Sequence, residues 1–99
     1  MCGAPDQAVE LPAGTDLTKE TVLAGRVVAD GQPVGGAFVR LLDGTGEFTA
    51  EVVSSASGDF RFFAAPGSWT VRALSRSGNG ESVLEPAGPG LHRTEISVA

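Results

Sequence analysis

The sequence predicts an all-β fold, a seven-stranded antiparallel β-sandwich with no long helix, on three observations. The body of the chain repeats one grammar: four to eight residues rich in Val, Leu, Phe or Thr, then a break of Gly, Asp, Pro or Ser. Within most of these runs apolar and polar residues alternate, the period of a strand with one face buried. No window of eleven or more residues keeps apolar side chains at i, i+3, i+4 and i+7, so no helix longer than about one turn is expected. Ninety-nine residues suffice for a single core. The 14 glycines and 6 prolines call for short elements and many turns.

The elements follow in order. Residues 1–19 lack alternation and contain Gly3, Pro5, Pro12 and Gly14, so they read as an extended N-terminal arm before a sandwich domain over residues 20–99. Thr21–Val28 is the first strand, with Leu23, Gly25 and Val27 on the core side and Arg26 toward water. Asp30-Gly31-Gln32-Pro33 breaks it. Ala37–Leu42 turns Ala37, Val39 and Leu41 inward and Phe38 and Arg40 outward, then Asp43-Gly44-Thr45-Gly46 supplies hairpin residues. In Phe48–Ser54 parity does not separate the faces. After Ser57-Gly58, Asp59–Ala64 points Phe60, Phe62 and Ala64 inward and Arg61 and Phe63 outward. After Pro66-Gly67, Ser68–Leu74 points Trp69, Val71 and Ala73 inward and Thr70 and Arg72 outward. Trp69, Phe60 and Phe62 should therefore share one core. Gly78-Asn79-Gly80 reads as a hairpin turn before Glu81–Leu84. Pro86–Gly90 leads into His92–Val98, with Ile96 and Val98 inward and Glu95 and Ser97 outward.

Charge narrows the function. Seven basic residues face twelve acidic ones, a net charge of −5, which argues against nucleic acid and against an anionic membrane surface. Residues 1–20 hold Asp6, Glu10, Asp16 and Glu20 against Lys19 alone, so the body is nearer neutrality, and its basic residues are all arginines. No apolar run approaches the roughly 20 residues of a membrane span. The start lacks the basic and apolar segments of a secretory signal, and no apolar stretch precedes Cys2 as in a lipoprotein. The single cysteine cannot close an internal disulfide. A cytoplasmic, reduced protein is expected.

Two resemblances rest on named residues. Gly25-Arg26-Val27-Val28, Gln32-Pro33-Val34-Gly35-Gly36-Ala37-Phe38-Val39-Arg40-Leu41, Ser57-Gly58-Asp59-Phe60-Arg61-Phe62 and Pro66-Gly67-Ser68-Trp69-Thr70-Val71 resemble a carboxypeptidase regulatory-like domain. That resemblance covers residues 21–98 and implies a transthyretin-like seven-stranded sandwich; it says little about activity. Over the whole chain, the Met1-Cys2 start, Leu42-Asp43, Glu47–Val53 and Gly58–Thr70 are similar to the small actinobacterial SseC-like proteins, a family of unknown function. Genes of that family tend to lie beside rhodanese-type thiosulfate sulfurtransferases. The resemblance implies a sulfur-related accessory role and carries over no catalytic residue.

Cys2 is the sulfur-acceptor candidate. Removal of Met1 would leave amine and thiol on one residue, where the cationic amine lowers the thiol pKa. An accessible thiolate could then take sulfane sulfur from a persulfide. The competing reading is a terminal residue without a role. His92, the one histidine, has no visible nucleophile motif beside it, and one Cys with one His falls short of a metal site; a half-exposed histidine at a strand edge is the expectation. Phe38, Arg40, Arg61 and Phe63 are interface candidates, since aromatics and arginine are enriched where proteins meet. Cover by Val9 and Leu11 of the arm is the alternative. Arg26, Arg40, Arg61 and Arg72 suit an anion or an acidic partner, against which stands simple cross-strand pairing with Glu51, Asp59 and Glu95. Asp30, Asp43, Glu47 and Asp59 are scattered, as turn residues are, and calcium needs six to eight clustered oxygens. No phosphate loop, nucleophile elbow or CxxC occurs. The transthyretin-like hydrolases of purine breakdown use several His and Arg residues and a Tyr-containing end; here tyrosine is absent and the chain ends Ile96-Ser97-Val98-Ala99.

The expectation is a non-enzymatic accessory protein of sulfur metabolism, without metal or cofactor, acting with a rhodanese-type sulfurtransferase through Cys2. The alternative is a protein-interaction or homodimerisation module using an outer sheet face. Small-ligand or carbohydrate binding comes third, because such sites expose Trp or Tyr platforms.

Overall fold

Eight strands pair into two sheets that enclose one apolar core in a computed structural model that describes residues 16–99. They are β1 (Thr21–Ala29), β2 (Gln32–Pro33), β3 (Phe38–Leu42), β4 (Phe48–Val53), β5 (Asp59–Phe63), β6 (Trp69–Ser75), β7 (Gly78–Leu84) and β8 (Gly90–Ser97). In one sheet β1 is central, with β5 and the short β2 pairing antiparallel to it and β8 parallel to it. The other sheet runs β4-β3-β6-β7, all antiparallel. Leu23 and Val27 (β1), Val39 and Leu41 (β3), Phe60 and Phe62 (β5), Val71 and Ala73 (β6), and Ile96 (β8) are buried between the sheets with Ala37, Val52 and Val98. The all-β sandwich expected from alternation is therefore present, and the assigned core faces hold in both sheets.

Four details differ from the sequence reading, and a fifth that it left open is settled. An eighth strand exists because Asp30 and Gly31 both take positive φ, 51° and 78°, in a two-residue hairpin that folds Gln32–Pro33 back onto Val28–Ala29. The sandwich is not wholly antiparallel: the chain leaves β7 in one sheet and crosses to the other, where β8 lies parallel to β1. Gly78-Asn79-Gly80 is not a turn. The turn is Arg76-Ser77, and both glycines lie within β7. Their lack of a side chain has another cause: a Cβ on Gly80 would collide with the Ser97 carbonyl oxygen, and one on Gly78 with the Ala99 backbone. Here β7 and the end of the chain touch main chain to main chain, and Ser82 Oγ and Thr94 Oγ1 join the two sheets at 2.6 Å.

Trp69 is half-buried at the margin of the core rather than within it. It opens β6 at the sheet's end, and its Nε1 donates to the Ala65 carbonyl at 2.7 Å, drawing the indole toward the preceding loop. The facing that parity leaves open in Phe48–Ser54 is set by a bulge, and Phe48 does not share the side of Ala50 and Val52. A register shift between Leu41 and Leu42 sets Phe48 opposite Leu42 with Thr49 as the extra residue, so Phe48 leaves the core side.

Candidate functional site

The outer face of the β4-β3-β6-β7 sheet consists of three rows of side chains set by strand register. The first is Val53–Phe38–Leu74–Asn79, the second Glu51–Arg40–Arg72–Glu81, and the third Phe48–Leu42–Thr70–Val83. Successive rows lie two residues apart along the strands, roughly 7 Å. A charged row thus lies between two largely apolar ones. The apolar rows are open: Phe38 is 49%, Phe48 61% and Val83 58% exposed. Hollows lined by Phe38, Leu74, Ser75 and Arg76, and by Arg72, Asn79 and Glu81, indent the same face.

Electrostatics organises the middle row. Arg40 and Arg72 are direct cross-strand neighbours, an arrangement that costs energy between like charges. Each is drawn toward an acid on the adjoining edge strand. Arg40 Nε donates to Glu51 Oε2 at 2.8 Å, and Arg72 Nη2 donates to Glu81 Oε1 at 3.4 Å. The row reads acid, cation, cation, acid. The cross-strand pairing expected of the arginines is present here for Arg40 with Glu51, and Arg72 takes Glu81, a partner outside that expectation.

Two turns hold this sheet in place. In the β3–β4 turn, Asp43 Oδ1 accepts from Thr45 N at 2.8 Å, Thr45 Oγ1 at 2.6 Å and Glu47 N at 3.0 Å. These bonds, led by the Thr45 hydroxyl, lower the Asp43 pKa below its ordinary value of 3.8. At the other end, buried Ser54 accepts from Ala37 N at 2.9 Å and donates to the Val34 carbonyl at 2.7 Å, fixing the approach to β3.

The opposite face differs. On β5, β1 and β8 the register gives rows Phe63–Val22–Leu91, Arg61–Ala24–Arg93 and Asp59–Arg26–Glu95. Val22 and Val28, on the outward parity of the central strand, are buried. Asp59 is buried as well. Its Oδ1 lies 3.5 Å from Arg26 Nε, and its Oδ2 has no hydrogen-bond partner among the described residues. Phe63 is half-exposed and borders a hollow lined by Lys19, Glu20, Thr21, Ala64, Ala65 and Pro66.

The four interface candidates do not form one patch. Phe38 and Arg40 belong to one sheet, Arg61 and Phe63 to the other, because parity gives the side of a strand but not its sheet. Leu74 joins Phe38, whereas Leu84 packs on the core. Leu42 follows the outward parity of Phe38 and Arg40, and Phe48 and Val83 complete the face, a placement that only the partner strands reveal. Cys2, Val9 and Leu11 lie outside the described residues. His92 is half-buried, and its Nε2 lies 3.0 Å from the Gly88 carbonyl, where it can donate. Among the described residues no three His, Cys, Asp or Glu side chains gather as metal ligands, and no helix is long and apolar enough to cross a membrane.

Residues 2–98 match the family described as "Protein of unknown function (DUF1416)". Two uncharacterized proteins of Mycobacterium tuberculosis, Rv0814c and Rv3118, are each 65% identical over 99 residues, 99% of both chains. An uncharacterized protein of Mycolicibacterium smegmatis is 68% identical over 90 residues, 90% of this chain and 100% of its own. Among solved structures, a DUF3823 family protein from Parabacteroides merdae aligns with a TM-score of 0.62 at 18% identity, covering 83% of this chain and 47% of that one. Catechol 1,2-dioxygenase from Acinetobacter sp. ADP1, inhibited by bound mercury, aligns with a TM-score of 0.61 at 12% identity, covering 98% and 59%. The chain thus spans about half to three-fifths of these structures, and at such identity they share the fold alone. The chain belongs to the DUF1416 family.

Proposed function

We propose that this DUF1416 protein is a non-enzymatic accessory protein that binds a partner protein through the outer face of the β4-β3-β6-β7 sheet. The supporting observation is the placement of Phe38, Phe48 and Val83, all about half-exposed or more, around a central charged row on one face. Apolar side chains grouped in this way mark interaction surfaces, whereas isolated ones do not. Arginine with aromatics is the composition of interface centres. A carbohydrate platform has less support, because the single Trp69 packs against the core.

The partner we propose is a rhodanese-type thiosulfate sulfurtransferase in the cytoplasm, with Cys2 as sulfur acceptor. This part rests on the resemblance of the Met1-Cys2 start and the Gly58–Thr70 stretch to SseC-like proteins. In the transfer, the Cys2 thiolate attacks the outer sulfur of the partner's persulfide. A new S–S bond forms at Cys2 as the partner's S–S bond breaks, and the partner leaves as a thiolate. Intact mass after incubation with a rhodanese and thiosulfate tests it. The wild type should gain one reducible sulfur atom and Cys2→Ser none; equal gains in mass end the sulfur-carrier reading. Phe38→Asp should abolish binding to the same enzyme in a pull-down of purified proteins, and unchanged binding would end the role of this face.

A further inference from the structure

The binding face carries a specification of what covers it, and this inference rests on the reading of that face as a docking surface. We infer that the occupant is an amphipathic helix of a partner protein, lying along β3 and β6, with a carboxylate over Arg40 and Arg72 and an apolar residue about one turn to either side.

Charge is the first ground. Arg40 and Arg72 are in register and half-exposed on the midline of the sheet, and their ion pairs to Glu51 and Glu81 engage one nitrogen on each, Nε and Nη2 respectively. A guanidinium carries five N–H donors, so both retain capacity for an acceptor above the midline. A carboxylate there would relieve their mutual repulsion and accept from both. A second copy of this chain is a poor fit. A two-fold axis through the middle of the face would set each copy's central arginines against those of the other.

Spacing is the second ground. The apolar rows lie one row to either side of the charged row, with Phe38 and Leu74 at one end and Leu42 and Phe48 at the other. Rows are roughly 7 Å apart, and helix residues four apart rise by about 6 Å on one face. An apolar residue at i, Glu or Asp at i+4 and an apolar residue at i+8 therefore meet the three rows in order. An extended segment would match the spacing too, but it would lay unpaired backbone N–H and C=O groups on apolar side chains. A helix satisfies those groups internally.

The probes are three helix-stabilised peptides of roughly 20 residues, with Leu at i and i+8 and Glu, Gln or Lys at i+4. Each is titrated into the full chain, with amide NMR shifts locating the site and calorimetry giving Kd. The Glu peptide should shift residues of β3 and β6 and bind about tenfold more tightly than the Gln peptide, one charge-assisted hydrogen bond's worth, with the Lys peptide weakest. The double variant Arg40→Gln, Arg72→Gln should erase the Glu preference and leave the Gln peptide unchanged. Arg93→Gln on the opposite face should alter neither. Equal binding of Glu and Gln peptides to this face overturns the carboxylate and leaves the docking surface standing. A dimer dissolved by Phe38→Asp, with no peptide bound, makes a second copy the occupant and overturns the inference alone. A monomer that binds none of the peptides at millimolar concentration overturns both.

Discussion

The two outer faces of the sandwich show opposite treatments of the same residue types. On β4-β3-β6-β7 the apolar rows are open and the arginines sit centrally, each paired with a half-exposed or exposed acid on an edge strand. On β5-β1-β8 the outward Val22 and Val28 are buried, and Arg26 leans on the buried carboxylate of Asp59. On the central strand of the second face an outward apolar residue belongs to the stability of the fold, although Phe63 and Leu91 on its flanking strands stay open; on the first face such a residue is available to a partner even at the centre. Parity alone does not reveal this difference, since Val22 and Phe38 are both outward residues of well-formed strands.

The largest effect should come from placing a charge on each face. Val22→Asp sets a carboxylate in a fully buried position and should cost about 4 kcal/mol or more, or prevent folding. Phe38→Asp should cost within about 1 kcal/mol while removing association. Thermal melts of the two variants give the contrast, and similar losses would erase the distinction between the faces.

Ser54→Ala tests what holds the open sheet in position. It deprives Ala37 N and the Val34 carbonyl of a buried partner, so urea unfolding should show a loss of about 2–3 kcal/mol. A change below about 0.5 kcal/mol would mean that water replaces the hydroxyl without cost.

The ion pairs should separate in the same way. Arg26→Met strands the buried Asp59 carboxylate and should cost about 1–3 kcal/mol. Arg40→Met removes a pair open to solvent and should cost about 0.2–1 kcal/mol. Added salt should narrow the second loss more than the first.

The smallest effect should lie in the Asp43 turn. Its folded pKa is depressed by the Thr45 hydroxyl and then by backbone N–H donors, so its stabilisation is present above the unfolded value of 3.8 and fades as pH falls through the lower folded value. Asp43→Asn should therefore lower the thermal midpoint slightly at neutral pH. The gap to wild type should close in acid, and a gap that stays constant with pH would show that the charge has no part in it.

Much of the fold was legible in the sequence because burial between two sheets forces period-two alternation. Leu23, Val27, Val39, Leu41, Phe60, Phe62, Val71, Ala73 and Ile96 all announced their side correctly. The site was legible only in part. Phe38 and Arg40 were visible as outward residues, but their grouping depends on which strands pair, and that information is non-local. Phe63 and Arg61 show the same parity yet fall on the other sheet. The facing of Phe48 is undetermined in the sequence because a single extra residue, Thr49, resets it. Gly78 and Gly80 suggested a turn because close backbone packing leaves the same mark on a sequence as a tight reversal does.

The parallel pairing of β1 with β8 governs how the chain reaches its structure over time. Residues Thr21–Val28 find their partners at Gly90–Ser97, so the middle of one sheet is assembled from the first and last strands among the described residues. During synthesis β1 can gather β2 and β5 early, yet its remaining edge stays open until β8 emerges. Contacts so distant in sequence make folding slow relative to a helical chain of equal length. A product interrupted before Gly90 would display the bare edge of a central, apolar strand, the surface from which misassembly between chains begins. The final strand thus completes the sheet: until it docks, one edge of β1 lacks its hydrogen-bond partners and the apolar core lacks Ile96.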